Sequence, residues 1–142
     1  MAGESQNCVE VMGPAELQMV EKVLDAFDRL CESTGRVAEE DQMQFALAVS
    51  EILTNMITYG QSTSGADPVS IHAEICVNDH EMCASLRDTA EPVHVALDDL
   101  SLPDDLLDES GRGLAISAMV LDRLERQTDS GNVWSLQRSR RT

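Results

Sequence analysis

Apolar residues recur at two different spacings along this chain, and the two spacings separate predicted helices from predicted strands. Residues 8–12 are typical of a short strand, and Pro14 follows where a helix can open. Helical spacing then continues to about residue 32, and Gly35 ends it. The apolar positions of this first predicted helix are Leu17, Val20, Val23, Leu24, Phe27 and Leu30.

The second predicted helix covers about residues 40–59 and is amphipathic. Glu51 and Asn55 are four residues apart, so they lie one turn apart on the same side of this helix. They fall at the edge of its apolar arc, and Gly60 is the predicted stop. The apolar arc itself consists of Phe45, Ala46, Val49, Ile52, Leu53, Met56 and Ile57.

Alternation of apolar and polar residues over 69–77 and 82–88 predicts two strands joined by a turn at Asn78-Asp79. Asp88 lies on the same side of its strand as the core residues, which is an unusual place for a carboxylate. Two further strands are predicted over about 123–129 and 132–138, with Ser130-Gly131-Asn132 as the hairpin turn.

Residues 89–112 are rich in acidic side chains and contain two prolines, a composition that predicts a long irregular segment of the kind that forms a lid. A helix begins near Gly113, and its predicted apolar residues include Ile116 and Met119. The order is strand, two helices, two strands, lid, helix and hairpin. It predicts an α+β fold, a two-layer sandwich of a largely antiparallel sheet with helices on one face. At 142 residues, we expect a single domain over 1–142.

The formal net charge is −16, from 26 acidic against ten basic side chains. A field of this sign repels phosphate backbones, so we expect no direct nucleic-acid binding, and basic partner surfaces are favoured instead. A bound polyphosphate would need a divalent cation and backbone N–H groups to offset the repulsion.

The four cysteines show no zinc-ligand or redox spacing, so the chain is expected to be cytoplasmic with four reduced thiols. No apolar run is long enough to cross a bilayer, and residues 1–8 lack the basic and apolar regions of a signal peptide. We therefore expect no membrane association.

Three features carry candidate chemistry. An amide oxygen such as that of Asn55 is a hard ligand for Mg²⁺, and a carboxylate such as Glu51 can accept a proton from a hydroxyl group. Asp88, at a strand end, can accept a hydrogen bond from an exocyclic amine such as that of adenine. The plainer interpretations are a surface pair on a helix for Glu51 and Asn55 and an N-cap or turn aspartate for Asp88.

The third feature is Gly111-Arg112-Gly113 at the start of a helix. Glycines allow close backbone approach, and the N–H groups at a helix N-terminus favour phosphate. A flexible hinge before a helix explains the same residues.

The order of these features is that of the GHKL ATPases, and the chain most resembles the anti-sigma-factor serine kinases of bacterial partner-switching systems. FALAVSEILTNMITYG (45–60) is similar to their N-box helix, and LRDTAEPVHV (86–95) to their Asp-x-Gly-x-Pro-type loop. SGRGLAISAMVLDRLE (110–125) resembles their lid end with the following helix, and VWSLQR (133–138) their closing strand. The resemblance covers about residues 7–138.

The resemblance implies ATP and Mg²⁺ as cofactors. In that pattern Glu51 would be the general base toward a substrate serine, Asn55 would hold Mg²⁺ and Asp88 would recognise adenine. Gly111 and Gly113 would let a lid over about 89–112 wrap the phosphates.

Arg112 could supply positive charge near the γ-phosphate. Three positions depart from the family pattern by replacing a histidine, a glycine and a basic residue respectively: Tyr59, Ala90 and Glu109. The last departure bears on phosphoryl transfer more than on ATP binding.

The implied function is an anti-sigma factor with ATP-dependent serine kinase activity toward a STAS-type anti-sigma-factor antagonist. The alternative is a catalytically weak nucleotide-binding module of the same fold that only sequesters partners. A fragment of a sensor histidine kinase fits less well, because no phosphoacceptor-histidine helix pair precedes the N box in these residues. Family members are often homodimers, but the sequence does not fix the oligomeric state, the sigma factor or the antagonist.

Overall fold

The computed structural model describes residues 7–59, 69–89, 112–127 and 132–140 of the chain. The predicted loop at 61–68 and most of the predicted lid lie outside these residues. In chain order the described elements are β1 (Asn7–Pro14), α1 (Leu17–Thr34), α2 (Glu39–Tyr59), β2 (Ser70–Val77), β3 (Glu81–Asp88), α3 (Arg112–Val120), β4 (Arg123–Gln127) and β5 (Asn132–Ser139).

The described strands form one sheet in the order β1-β2-β3-β5-β4, and every neighbouring pair is antiparallel. Helix α1 packs on β1 and β2, α2 packs on β3 and β5, and α3 packs on α2 and β4. Every second residue of β2 and of β3 is buried, because only one face of the sheet is covered by the helices. The predicted α+β sandwich is confirmed.

The hairpin between β2 and β3 has the predicted turn. The side-chain Oδ1 of Asn78 accepts hydrogen bonds from the backbone N–H groups of His80 and Glu81, each at 2.8 Å. Asparagine is favoured in turns because its short side chain can take over these backbone hydrogen bonds.

The two long helices meet at an aromatic contact. The rings of Phe27 in α1 and Phe45 in α2 have centroids 5.4 Å apart and are inclined at 49°. Both side chains are fully buried, as the helical spacing predicted. Gly35 ends α1 with a φ of 73°, a conformation that glycine adopts without a Cβ penalty, and its N–H donates to the carbonyl of Cys31 at 2.9 Å.

One local prediction is wrong, and one predicted helix leaves two of its apolar residues exposed. Pro14 does not open α1 but ends β1 opposite Ser70, and the helix begins at Leu17. β1 is an edge strand of the described sheet, where a residue without an N–H group is tolerated. In α3, Met119 is 83% exposed and Ile116 is 37% exposed, because the packed side of this short helix carries Ser117 instead.

The prediction of four reduced thiols is also wrong. Cys8 and Cys76 lie directly opposite each other on β1 and β2 and form a disulfide. Cys31 and Cys83 are free thiols. Burial raises the pKa of Cys31 to about 12 and that of Cys83 to about 11, so both remain protonated and weakly nucleophilic at neutral pH.

A buried ion pair joins the sheet to two helices. The guanidinium of Arg138 in β5 lies 3.1 Å (Nη2) and 3.2 Å (Nε) from Oδ1 of Asp41 in the first turn of α2. Its Nη1 donates to the carbonyl of Val120, the last residue of α3, at 2.6 Å. Both charged side chains are almost fully buried, so neither charge can be solvated if its partner is lost.

We predict that Cys8→Ser lowers the free energy of unfolding by about 2–4 kcal/mol under non-reducing conditions, because the disulfide closes a long loop in the unfolded chain. Its two cysteines are 68 residues apart. Urea denaturation with and without reductant measures the effect. Cys83→Ser is the control and should be near neutral. Equal stability of Cys8→Ser and wild type without reductant contradicts the prediction.

Arg138→Met should lower the free energy of unfolding by about 3–5 kcal/mol, because it leaves the carboxylate of Asp41 buried without its counter-charge. The double variant Asp41→Leu/Arg138→Met should lose less free energy of unfolding than the single variant, since neither charge of the pair remains. Arg123→Met is the control, because this arginine is exposed and forms an ion pair with exposed Glu125 at 3.4 Å. A double variant less stable than Arg138→Met would show that the pair stabilises beyond charge compensation.

Candidate functional site

The edge of the α2 apolar arc carries the first two predicted site residues. Glu51 and Asn55 are both half-buried and lie one turn apart, beside the buried side chains of Ile52 and Met56. Polar groups at this position are partly desolvated while still accessible from one side. The position of the pair on the helix is as predicted, and its chemical roles stay predictions.

The amide of Asn55 is not fully satisfied by the part of the chain that the structure describes. Its Nδ2 atom is buried and has no hydrogen-bond partner there. A buried polar atom without a partner costs about 1–3 kcal/mol, so a group that completes its bonding would be stabilised at this position. The carboxamide can also rotate to present its oxygen, which is a ligand that Mg²⁺ prefers. Asn55 therefore fits the predicted Mg²⁺ ligand.

Asp88 is the last residue of β3 and is only 3% exposed, on the helix-covered face of the sheet. Its Oδ1 accepts a hydrogen bond of 3.0 Å from Nδ2 of Asn132, the residue opposite it on β5. The core-facing position predicted from alternation is thus observed. A carboxylate held here is an acceptor, and it can serve an exocyclic amine as the resemblance implied.

Two residues beside Asp88 were not among the predicted site residues. Nη2 of Arg126 in β4 donates to Oδ1 of Asn132 at 2.7 Å, and the Arg126 guanidinium lies 5.4 Å from the ring centroid of Trp134. Desolvation lowers the pKa of Arg126, and the nearby charge of Asp88 opposes this shift. The available signal was alternation, because Arg126 follows Leu124 by two residues and Asn132 precedes Trp134 by two.

Helix α3 begins at Arg112, where the sequence predicted a helix start, and Gly113 lies in its first turn. The backbone N–H groups of a first helical turn favour a bound anion. The side chain of Arg112 and all of Gly111 lie outside the described residues. The same holds for residues 90–111 of the predicted lid over about 89–112, which include Ala90 and Glu109, and for the side chain of Tyr59.

Comparison with known proteins defines the class of this domain. A family model described as a histidine kinase-like ATPase domain matches residues 13–138. The chain therefore belongs to the histidine kinase-like ATPase domain family, which is of the GHKL type. A search of curated proteins found no match.

Among solved structures, the chain is similar to the histidine kinase domain of a blue-light activated histidine kinase from Erythrobacter litoralis. The identity is 14% and the TM-score 0.56, with 96% of this chain and 69% of that chain covered. At this identity the similarity establishes a shared fold. The family predicted from the order of motifs is confirmed at the level of the GHKL-type domain.

Membership in this family makes the chain a kinase-like or ATPase-like domain of an ATP-binding class. Domains of this class generally bind ATP with Mg²⁺. None of the helices in the described ranges is long and apolar enough to span a membrane.

We predict that Mg²⁺-ATP raises the thermal stability of the protein, because a ligand that binds only the folded state stabilises it. At a concentration about 100-fold above Kd the gain is about 2.7 kcal/mol. Asn55→Ala should remove most of the Mg²⁺-dependent part of this stabilisation. That part is the difference between the stabilisation by ATP with Mg²⁺ and with EDTA, measured by thermal unfolding.

Thr58→Ala is the matched control, since Thr58 is exposed near the end of the same helix. It should leave the gain unchanged. The absence of any shift in wild type with millimolar ATP or ADP would count against nucleotide binding altogether.

Proposed function

We propose that this protein is an anti-sigma factor with ATP-dependent serine kinase activity. Its substrate is a small STAS-domain antagonist, and its second partner is a sigma factor. Family membership supports an ATP-binding, kinase-like module. The finer assignment rests on the resemblance of residues 45–60, 86–95 and 110–125 to the anti-sigma-factor kinases.

The observation that carries the kinase assignment is the placement of Glu51 one helical turn before Asn55. Both side chains are half-buried, and the amide of Asn55 has an unsatisfied buried atom among the described residues. A carboxylate beside a cation-binding amide supplies the two functions that phosphoryl transfer to a hydroxyl group requires.

In the proposed reaction, the serine Oγ of the antagonist forms a bond to the γ-phosphorus of ATP. The bond from that phosphorus to the β,γ-bridging oxygen breaks, ADP leaves, and the serine proton passes to the carboxylate of Glu51. Asn55 would hold Mg²⁺ through its amide oxygen, and the bound ion would neutralise phosphate charge. Arg112 would add positive charge, and Asp88 would select the base.

The charge of the chain supports basic partners. With a net charge of −16, long-range attraction favours association with a basic surface on the sigma factor and disfavours nucleic acid. Salt should therefore weaken sigma-factor binding mainly through a lower association rate.

A second candidate is a module that binds nucleotide and sequesters partners without transferring phosphate. The observation that favours it is Glu109, an acidic residue where some kinases of the group have a basic residue. Both candidates predict nucleotide binding, so only a transfer assay separates them.

Glu51→Gln should reduce phosphate transfer to the serine of the antagonist by about 10²–10⁴-fold, because it removes the proton-accepting charge and preserves size. Transfer is measured as incorporation of γ-labelled phosphate into STAS-domain proteins of the same organism that bind the chain. Nucleotide and antagonist affinities should stay unchanged.

The matched control is Glu40→Gln, an exposed glutamate on the same helix. It should transfer phosphate at the wild-type rate. If wild type transfers no phosphate to an antagonist that it demonstrably binds, the kinase proposal fails and the sequestering module remains. If Glu51→Gln transfers normally, Glu51 is not the general base.

A further inference from the structure

The side chains of Arg126, Asn132 and Asp88 form a hydrogen-bonded row on the helix-covered face of the sheet. The register places Asp88 opposite Asn132 and places Arg126 opposite Trp134, so the residues come from three neighbouring strands. Asn132 donates to Asp88 at 3.0 Å and accepts from Arg126 at 2.7 Å. The order is guanidinium, carboxamide and carboxylate.

The guanidinium determines which way the carboxamide faces. A guanidinium can only donate hydrogen bonds, so Arg126 keeps the amide oxygen of Asn132 on its own side and turns the NH₂ group toward Asp88. Without Arg126 the amide could rotate by half a turn and set its oxygen against the carboxylate. Asp88 and Asn132 are 3% and 4% exposed, so water cannot readily compensate for a wrong orientation.

The guanidinium is itself held in place. It lies over the ring of Trp134, which is buried at 8% exposure, and the charge of Asp88 acts on it from the far side of the amide. A positive charge one carboxamide away also lowers the cost of keeping a carboxylate buried and ionised. Arg126 is therefore placed to act on Asp88 through the amide of Asn132.

We propose that Arg126 and Asn132 are positioning residues that hold Asp88 as a hydrogen-bond acceptor and so set the preference of the site for a 6-amino purine. This inference rests on the proposed nucleotide site. An oriented carboxylate accepts from the 6-amino group of adenine and repels the 6-oxo group of hypoxanthine. Neither Arg126 nor Asn132 need touch the nucleotide for this selection.

The test compares ATP with ITP, which carries a 6-oxo group in place of the 6-amino group. Dissociation constants for both, with Mg²⁺, are measured by calorimetry on the whole chain. Wild type should prefer ATP, and Arg126→Leu should reduce the ratio of the ITP to the ATP constant by about tenfold, the worth of one oriented hydrogen bond. Asn132→Leu should reduce this ratio by a similar factor, and Arg126→Lys should keep the ratio closer to the wild-type value than Arg126→Leu does.

Arg123→Leu is the matched control, because Arg123 is exposed on the same strand, and it should keep the wild-type ratio. A purely structural role for Arg126 predicts that both constants rise together and the ratio is unchanged, which would overturn the proposal. The proposal also fails if Arg126→Lys and Arg126→Leu both keep the wild-type ratio. Because lysine retains a cationic donor, Arg126→Lys and Asn132→Leu decide the matter if Arg126→Leu fails to fold.

The outcomes for wild type separate this inference from the proposed function. Failure of wild type to bind either nucleotide would refute the nucleotide site. Tight binding of ATP and ITP with equal constants would leave nucleotide binding intact and refute the role of the Arg126–Asn132–Asp88 chain in base selection.

Discussion

The ion pair between Arg138 and Asp41 connects the three parts of the structure that carry the predicted site. Arg138 belongs to β5, Asp41 to the first turn of α2, and the Val120 carbonyl, which also accepts from Arg138, ends α3. Neither charge is solvated, so the two helices cannot shift on the sheet without exposing a buried charge to an apolar environment. The contact thus joins the first turn of α2 and the end of α3 to β5.

A second arginine, Arg126, is half-buried near the opposite end of β5. Arg126 lies on the covered face and faces Asp88 through the amide of Asn132, while Arg138 contacts Asp41 directly. One fully buried and one half-buried arginine thus each lie near a buried carboxylate. In the first arrangement the Asn132 amide is hydrogen-bonded to both charged groups. The second neutralises Asp41 and serves the fold.

Differences between prediction and structure come from contacts that no local pattern contains. Helical spacing showed that α3 has apolar residues, but Met119 is exposed because the neighbours of this helix cover another side. Cysteine spacing in the sequence carries no information on the disulfide. Cys8 and Cys76 are 68 residues apart and meet only because β1 pairs with β2 in one particular register.

The amino-acid sequence by itself determined most of the described elements and the α+β class, because periodicity and turn residues act over a few neighbours. The GHKL-type family came from the resemblance of its ordered motifs, and the family model confirms it. It also determined that Asp88 points toward the core and that Glu51 and Asn55 share one side of a helix. Only the tertiary structure decided what lies beside Asp88. Asn132 is 44 residues away along the chain, and Arg126 reaches it only after β4 and β5 have paired. Hydrogen bonds between distant strands depend on register, and register is decided by the packing of the whole sheet.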